Sequence, residues 1–366
     1  MKIETKKAFF DEPLYLESGR ILQPFEVQYE TYGELNTDKS NVIVITHALS
    51  GSHHCAGIYE GDRKAGWWDN LIGDHKAVDT TKYFVICMNN IGSCFGSTSP
   101  QSINPATNKP YRFKFPVLTI SDIVKAQIRV LKSLDISNVE AIIGGSMGGM
   151  QALCYAIEYP TFAKHIIALA TTAYTRPWAI AFNKVTIEAI RNDPDFKDGY
   201  YDPKDIEENG LNGLAIGRMA GHISYLSPSS MDDKFSRRYV HQDGLYELFG
   251  RFEVERYLEY NGYNFPKNFD PLSYLYIAKT MNIFNASRGS DTLAQSLYKI
   301  KSNLHLISFS GDMLFRSSEM EEIYNTMIEQ NMTNVTYNEI QSDYGHDAFL
   351  VEVDKFKDQI VEILKG

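Results

Sequence analysis

Apolar residues along this chain follow two alternating rhythms. Short unbroken runs at Val42–Thr46, 83–88, 139–143, 166–169 and 304–309 read as strands, most of them covered on both faces. Val335–Ile340 joins them by its alternation and β-branching. Residues 14–17 and 25–32 read as an opening strand pair. Between these runs lie stretches with one apolar face at helical spacing. Ile120, Ile123, Val124, Ile128, Leu131 and Leu134 mark one such face, and Thr119-Ile120-Ser121-Asp122 has the form of a capping box at its start. Strands alternating with helices predict an α/β fold with a mostly parallel sheet flanked by helices. From Arg176 to about Lys301 the rhythm changes to helices rich in Tyr, Asn and Met, with no strand-like run. The expected organisation is a core of residues 1–175 and 302–366, with a helical lid of residues 176–301 inserted between the later strands.

One junction in this pattern carries chemistry. Gly144-Gly145-Ser146-Met147-Gly148 sits between the strand 139–143 and the helical stretch 147–159. In such an elbow the strand turns so sharply that the serine is strained, and glycines beside it let the backbone pack closely. The turn lifts the hydroxyl clear of the sheet and aims the N-terminal N–H groups of the new helix at whatever the serine attacks. Ser146 is therefore the candidate nucleophile.

A serine nucleophile needs a base, and in this architecture acid and histidine follow it in that order. The strand 304–309 ends in Ser310-Gly311-Asp312, which places the Asp312 carboxylate where strand becomes loop. After Val335–Ile340 comes Asp343-Tyr344-Gly345-His346-Asp347, on a loop leading to the last helix. His346 is the expected base and Asp312 the acid that fixes its tautomer. Of the other eight histidines, His165 and His305 fall in strand patterns and read as packing residues, while His75, His222 and His241 have no partner motif. His53-His54 lacks further ligands at metal-like spacing, so no metal is expected. His47 ends the strand Val42–Thr46 and opens Ala48-Leu49-Ser50-Gly51, the loop position that holds a second oxyanion donor. The backbone N–H groups of Leu49 and Met147 are assigned to the oxyanion hole.

Composition narrows the partners. With 366 residues, 43% apolar and 13% aromatic, the chain buries a large core and exceeds a minimal sheet of this type. A net charge of −10 argues against nucleic acid or an anionic membrane as partner. Cys55, Cys87, Cys94 and Cys154 form no C-x-x-C pair, and Cys87 and Cys154 read as small core residues. The first seven residues lack the apolar core of a signal peptide, and no run has bilayer-spanning length. A cytoplasmic, reduced protein is expected. Arg63 and Lys64 read as a solvated pair, and Trp67 and Trp68 as packing anchors.

Several segments together resemble the homoserine O-acetyltransferases of the α/β-hydrolase fold, over almost the whole chain. They are Thr46-His47-Ala48-Leu49-Ser50-Gly51, Gly66-Trp67-Trp68-Asp69, the run from Asn90 to Thr98, the elbow through Gln151, Phe269-Asp270-Pro271-Leu272-Ser273-Tyr274-Leu275, and Gly345-His346-Asp347. The sequence departs from the family at Ser50, where Thr is usual, and at Ser99, where Gly is frequent. The resemblance implies that Ser146 takes the acetyl group of acetyl-CoA and passes it to the side-chain hydroxyl of L-homoserine. This is a ping-pong transfer in methionine biosynthesis. Arg218 matches the lid arginine that binds the substrate carboxylate, a task suited to a bidentate guanidinium. Asp347 is expected to meet the substrate ammonium and Tyr225 to line the same pocket. The resemblance further implies acetyl-CoA as cosubstrate with no permanently bound cofactor, and a homodimer formed through the lids. Succinyl-CoA as donor, serine as acceptor, or water in a carboxylesterase are the alternatives on the same machinery.

Overall fold

The structure is a computed structural model that describes residues 1–62, 64–241 and 245–365; Arg63 lies outside the described residues. Eight strands form the main sheet: β1 (Ile3–Phe10), β2 (Phe25–Tyr32), β3 (Val42–Thr46), β4 (Phe84–Met88), β5 (Val139–Gly145), β6 (Ala163–Leu169), β7 (Asn303–Phe309) and β8 (Val335–Ile340). Their spatial order is β1-β2-β4-β3-β5-β6-β7-β8. β1, β2 and β4 pair antiparallel in succession, and every pairing from β4 through β3 to β8 is parallel.

The central strands are apolar throughout because both faces are covered. Val42, Val44, Ile142 and Ile166 point into one core with α1 (Ile120–Ser133), α2 (Met147–Glu158) and part of the lid. Ile43, Ile45, Ile143 and Ile167 point into the other, with Trp68, Phe349 and the C-terminal helix. The capping box at α1 is present: Thr119 Oγ1 accepts from the Asp122 N–H, and Asp122 Oδ2 accepts from the Thr119 N–H.

The opening strand pair differs from the expectation. Residues 14–15 pair only with 21–22 in a small hairpin, and the partner of β2 is β1, at the start of the chain. β1 is an edge strand whose Glu4, Lys6 and Lys7 face solvent, and such charges blunt an open edge while hiding the apolar alternation. A second unforeseen feature lies beside it. Glu30 of β2 is fully buried and accepts hydrogen bonds from Thr5, Tyr32, Tyr59 and His54 Nδ1, so His54 is held by a carboxylate.

Between β6 and β7 the chain is helical. The longer elements are α3 (Pro177–Arg191), α4 (Asn212–Tyr225), α5 (Glu253–Asn264) and α6 (Pro271–Asn282); α3 packs on α4, and α4 on α5. Among the described residues here, only isolated bridges at Tyr174 and Tyr239 have strand character. After β7 come α7 (Ser317–Glu329) and, past β8, α8 (Lys357–Lys365). No helix among the described residues is long and apolar enough to cross a membrane.

The packing of α2 against β3 leaves no room for a side chain at the elbow. A Cβ on Gly148 would lie 2.1 Å from the Thr46 carbonyl oxygen, and one on Gly144 would lie 2.1 Å from Thr46 Oγ1. Thr46 Oγ1 also donates to the Gly148 carbonyl at 2.8 Å. Gly148→Ala is thus expected to destabilise the fold by about 1–3 kcal/mol, as overpacking against backbone does. Urea unfolding measures this, and an unchanged midpoint would contradict the packing described.

Candidate active site

At the end of β5 the chain turns into α2 through Ser146, whose φ of 58° and ψ of −124° lie outside the regions that L-residues favour. Three hydrogen bonds hold that conformation. The Ser146 N–H donates to the Leu169 carbonyl at 2.9 Å, and its carbonyl accepts from Thr171 Oγ1 at 2.9 Å and from the Met150 N–H at 3.1 Å. The hydroxyl is thereby carried by the sheet itself.

The three residues expected to act together are joined in one line. Ser146 Oγ lies 2.9 Å from His346 Nε2, and His346 Nδ1 lies 2.7 Å from Asp312 Oδ2. All three are buried. Asp312 Oδ1 accepts from the N–H groups of Leu314 and Phe315 at 2.8 and 2.9 Å, which fixes the carboxylate and leaves Oδ2 for the imidazole. Phe315 and Phe349 meet the His346 ring edge to face, with centroids 5.2 and 5.7 Å away. Trp68 is fully buried and donates through Nε1 to the Phe349 carbonyl at 3.0 Å, so it anchors the segment just after His346. Burial pushes the imidazole pKa down, yet the charge of Asp312 and its hydrogen bond prevail and hold it above the ordinary value.

A pocket opens on Ser146 and His346, lined on the core side by Leu49, Ser50 and Asp347 and on the lid side by Arg218, Tyr225 and Tyr274. Met147 is the first residue of α2, where a backbone N–H has no carbonyl one turn back to bond. Arg218 is half-buried; its guanidinium lies over the rings of Phe265 and Tyr225, at 4.5 and 5.3 Å, and reaches Ser50 Oγ at 3.5 Å. Among the described residues no carboxylate is within ion-pair distance of it. Burial raises the Asp347 pKa above the usual carboxylate value, against the pull of His346 and Arg218.

Of the expected site residues, all except Met147 line this pocket or belong to the hydrogen-bonded line. Sequence reasoning missed Asn183 and Thr186 of α3, which also line the pocket. No local motif marks them, because only the packing of the lid turns that face of α3 inward. Tyr274, which lies in the segment Phe269–Leu275, lines the pocket as well, a role that no local pattern marks. The expected packing roles of His165 and His305 acquire detail: their rings meet at 3.1 Å between Nδ1 and Nε2.

An eight-stranded sheet with a serine elbow, a buried acid and a histidine after the last strand defines a protein of the α/β-hydrolase class, and a family model for the alpha/beta hydrolase fold matches residues 41–315. Within that class the chain belongs to the homoserine O-acetyltransferase family of enzymes. It is 60% identical to the homoserine O-acetyltransferase of Sulfurimonas autotrophica over the full length of both chains. Its fold matches the crystal structure of homoserine O-acetyltransferase from Bacillus anthracis with a TM-score of 0.92 and 29% identity, covering 100% of this chain and 98% of that one. It also matches esterase E22, with a TM-score of 0.89 and 30% identity over 99% of this chain and 100% of the other.

The balance at His346 gives a direct test. Asp312→Asn removes the largest upward pulls on the imidazole and leaves burial opposed only by the smaller pull of the Asp347 charge, so the His346 pKa should fall. Histidine NMR titration of the two proteins reads this. A wild-type value at or below the ordinary one, or no change on substitution, would contradict the electrostatics described.

Proposed function

We propose that this protein transfers the acetyl group of acetyl-CoA to the side-chain hydroxyl of L-homoserine through an acetyl-Ser146 intermediate. The observation that carries the reading is the Asp312–His346–Ser146 line opening into a pocket that also holds Arg218 and Asp347. With its Nδ1 proton donated to Asp312, His346 presents a bare Nε2 to the serine hydroxyl. Ser146 Oγ attacks the thioester carbonyl as its proton passes to Nε2. The tetrahedral oxyanion accepts from the N–H groups of Leu49 and Met147, and collapse expels CoA with the proton returned from His346. The homoserine hydroxyl then gives its proton to His346, attacks the acetyl-serine carbonyl, and regenerates Ser146.

Acceptor choice follows from charge. An amino acid brings a carboxylate and an ammonium, and the pocket offers Arg218 to the first and Asp347 to the second, with Tyr225 beside them. An apolar ester has use for neither charge. The likeness to esterase E22 favours a second reading, hydrolysis on the same machinery, and the two charged residues are what weigh against it. The product carries an activated side-chain oxygen, and we assign the reaction to methionine biosynthesis, a reading supported by the likeness to named homoserine O-acetyltransferases. Trp178, Val185, Ile216 and Ile223 are exposed on α3 and α4, and we assign them to lid-to-lid pairing in a cytoplasmic homodimer.

Ser146→Ala is expected to leave the protein folded and abolish a one-to-one acetyl adduct that intact-mass spectrometry finds on the wild type; an adduct on the variant would refute the nucleophile. Arg218→Lys keeps the charge but loses the fork. Acetylation by acetyl-CoA should stay near normal while transfer to homoserine falls about two orders of magnitude, since such a pair is worth roughly 2–5 kcal/mol. Transient kinetics separates the two steps, and an equal fall in both would assign Arg218 to the donor site or to the fold.

A further inference from the structure

Behind the two proposed oxyanion donors lies a set of buried polar side chains that the chemistry above does not use. His47, Asn90, Gln127 and Gln151 are each no more than 1% exposed, and they come from four separate segments. Their hydrogen bonds connect them in order. His47 Nε2 accepts from the Asn90 backbone N–H at 3.0 Å, and Asn90 Oδ1 accepts from Gln127 Nε2 at 3.0 Å. Gln127 Nε2 also donates to Gln151 Oε1 at 2.8 Å. Gln151 Nε2 then closes the circuit on the His47 carbonyl at 3.0 Å and reaches the Met147 carbonyl at 3.3 Å.

The circuit dictates the tautomer of His47. A backbone N–H can only donate, so Nε2 must be the bare nitrogen and Nδ1 must carry the proton. That proton goes to the Ala48 carbonyl at 2.8 Å, which also accepts from the Gly51 N–H at 3.0 Å. The Ala48 carbonyl and the Leu49 N–H belong to one planar trans peptide and point in opposite directions. Holding the carbonyl against the His47 ring therefore turns the Leu49 N–H away from it. Burial keeps His47 neutral, its pKa lowered to about 4, so the arrangement persists at neutral pH.

We propose that this circuit positions both oxyanion donors, with His47 setting the rotation of the Ala48–Leu49 peptide and Gln151 tying that loop to the first turn of α2. The inference rests on the acyl-serine reading above. None of the four side chains touches the reacting atoms; they act as positioning residues through Leu49 and Met147. A free peptide at that loop can rotate and withdraw its N–H, and a preorganised donor owes its effect to not having to reorient.

Two substitutions divide the functions of the imidazole. In His47→Asn the amide nitrogen can stand where Nδ1 stood and still donate to the Ala48 carbonyl. In His47→Gln the longer amide reaches the Nε2 position and leaves the Ala48 carbonyl without that donor. The oxyanion hole serves both tetrahedral intermediates, so His47→Gln should slow acetylation by acetyl-CoA and transfer to homoserine by the same factor, about 10²–10³. Affinity for CoA, apparent KM for homoserine and the thermal midpoint should stay near wild type. His47→Asn should recover most of the loss. Equal damage in the two variants, loss in one half-reaction alone, or no loss would overturn the proposal. Should either variant fail to fold, Gln151→Met keeps length and removes three hydrogen bonds, those donated to the His47 and Met147 carbonyls and the one accepted from Gln127. It should slow both half-reactions together by about tenfold, the scale of one buried hydrogen bond, and unchanged rates would overturn the role of the circuit. Absence of acetyl-enzyme in the wild type is the separate result that overturns the parent reading.

Discussion

The backbone of Ser146, held at a φ of 58°, is the constraint on which the rest of the site depends. A residue in such a conformation costs on the order of 1–3 kcal/mol and persists only where its surroundings over-determine it. Here β3, β5 and β6 lie side by side, Thr46 approaches Gly144 and Gly148 too closely for any side chain, and Leu169 and Thr171 bond the Ser146 backbone. The elbow thus converts sheet packing into the position of one hydroxyl. His346 and Asp312 need only meet it, which they do from the loops after β8 and β7.

The sheet and the lid divide the work. In the proposed reaction the core provides Ser146 as nucleophile, His346 as a base whose pKa is raised by the fixed Asp312 carboxylate, and the Leu49 and Met147 N–H groups as donors. The lid lines the pocket with Arg218, Tyr225 and Tyr274, and on the proposed reading Arg218 brings the charge that a zwitterionic acceptor requires. Neighbours of nearly equal fold similarity include both a homoserine O-acetyltransferase and an esterase, so the fold alone does not choose between transfer and hydrolysis.

What was legible in the sequence is what local chemistry writes plainly. Buried parallel strands appear as unbroken apolar runs, the elbow needs glycines at fixed offsets, and Asp312 and His346 stand directly after strands. The N-terminal strand escaped because an edge strand with Glu4, Lys6 and Lys7 lacks a clean period of two. Asn183 and Thr186 escaped because the inward face of a lid helix is decided by its neighbours. The circuit of His47, Asn90, Gln127 and Gln151 escaped for a related reason: three of them lie in separate quoted segments and Gln127 on a helix, and only folding brings the four together.

The central claim, that the acetyl group is handed to an amino acid rather than to water, is tested most directly on preformed acetyl-enzyme freed of excess acetyl-CoA. Its decay is followed as homoserine is added, and O-acetylhomoserine and acetate are counted. The account predicts a decay rate that rises hyperbolically with homoserine and nearly all of the acetyl group appearing on it. A decay rate independent of homoserine, with acetate as the main product, would contradict it.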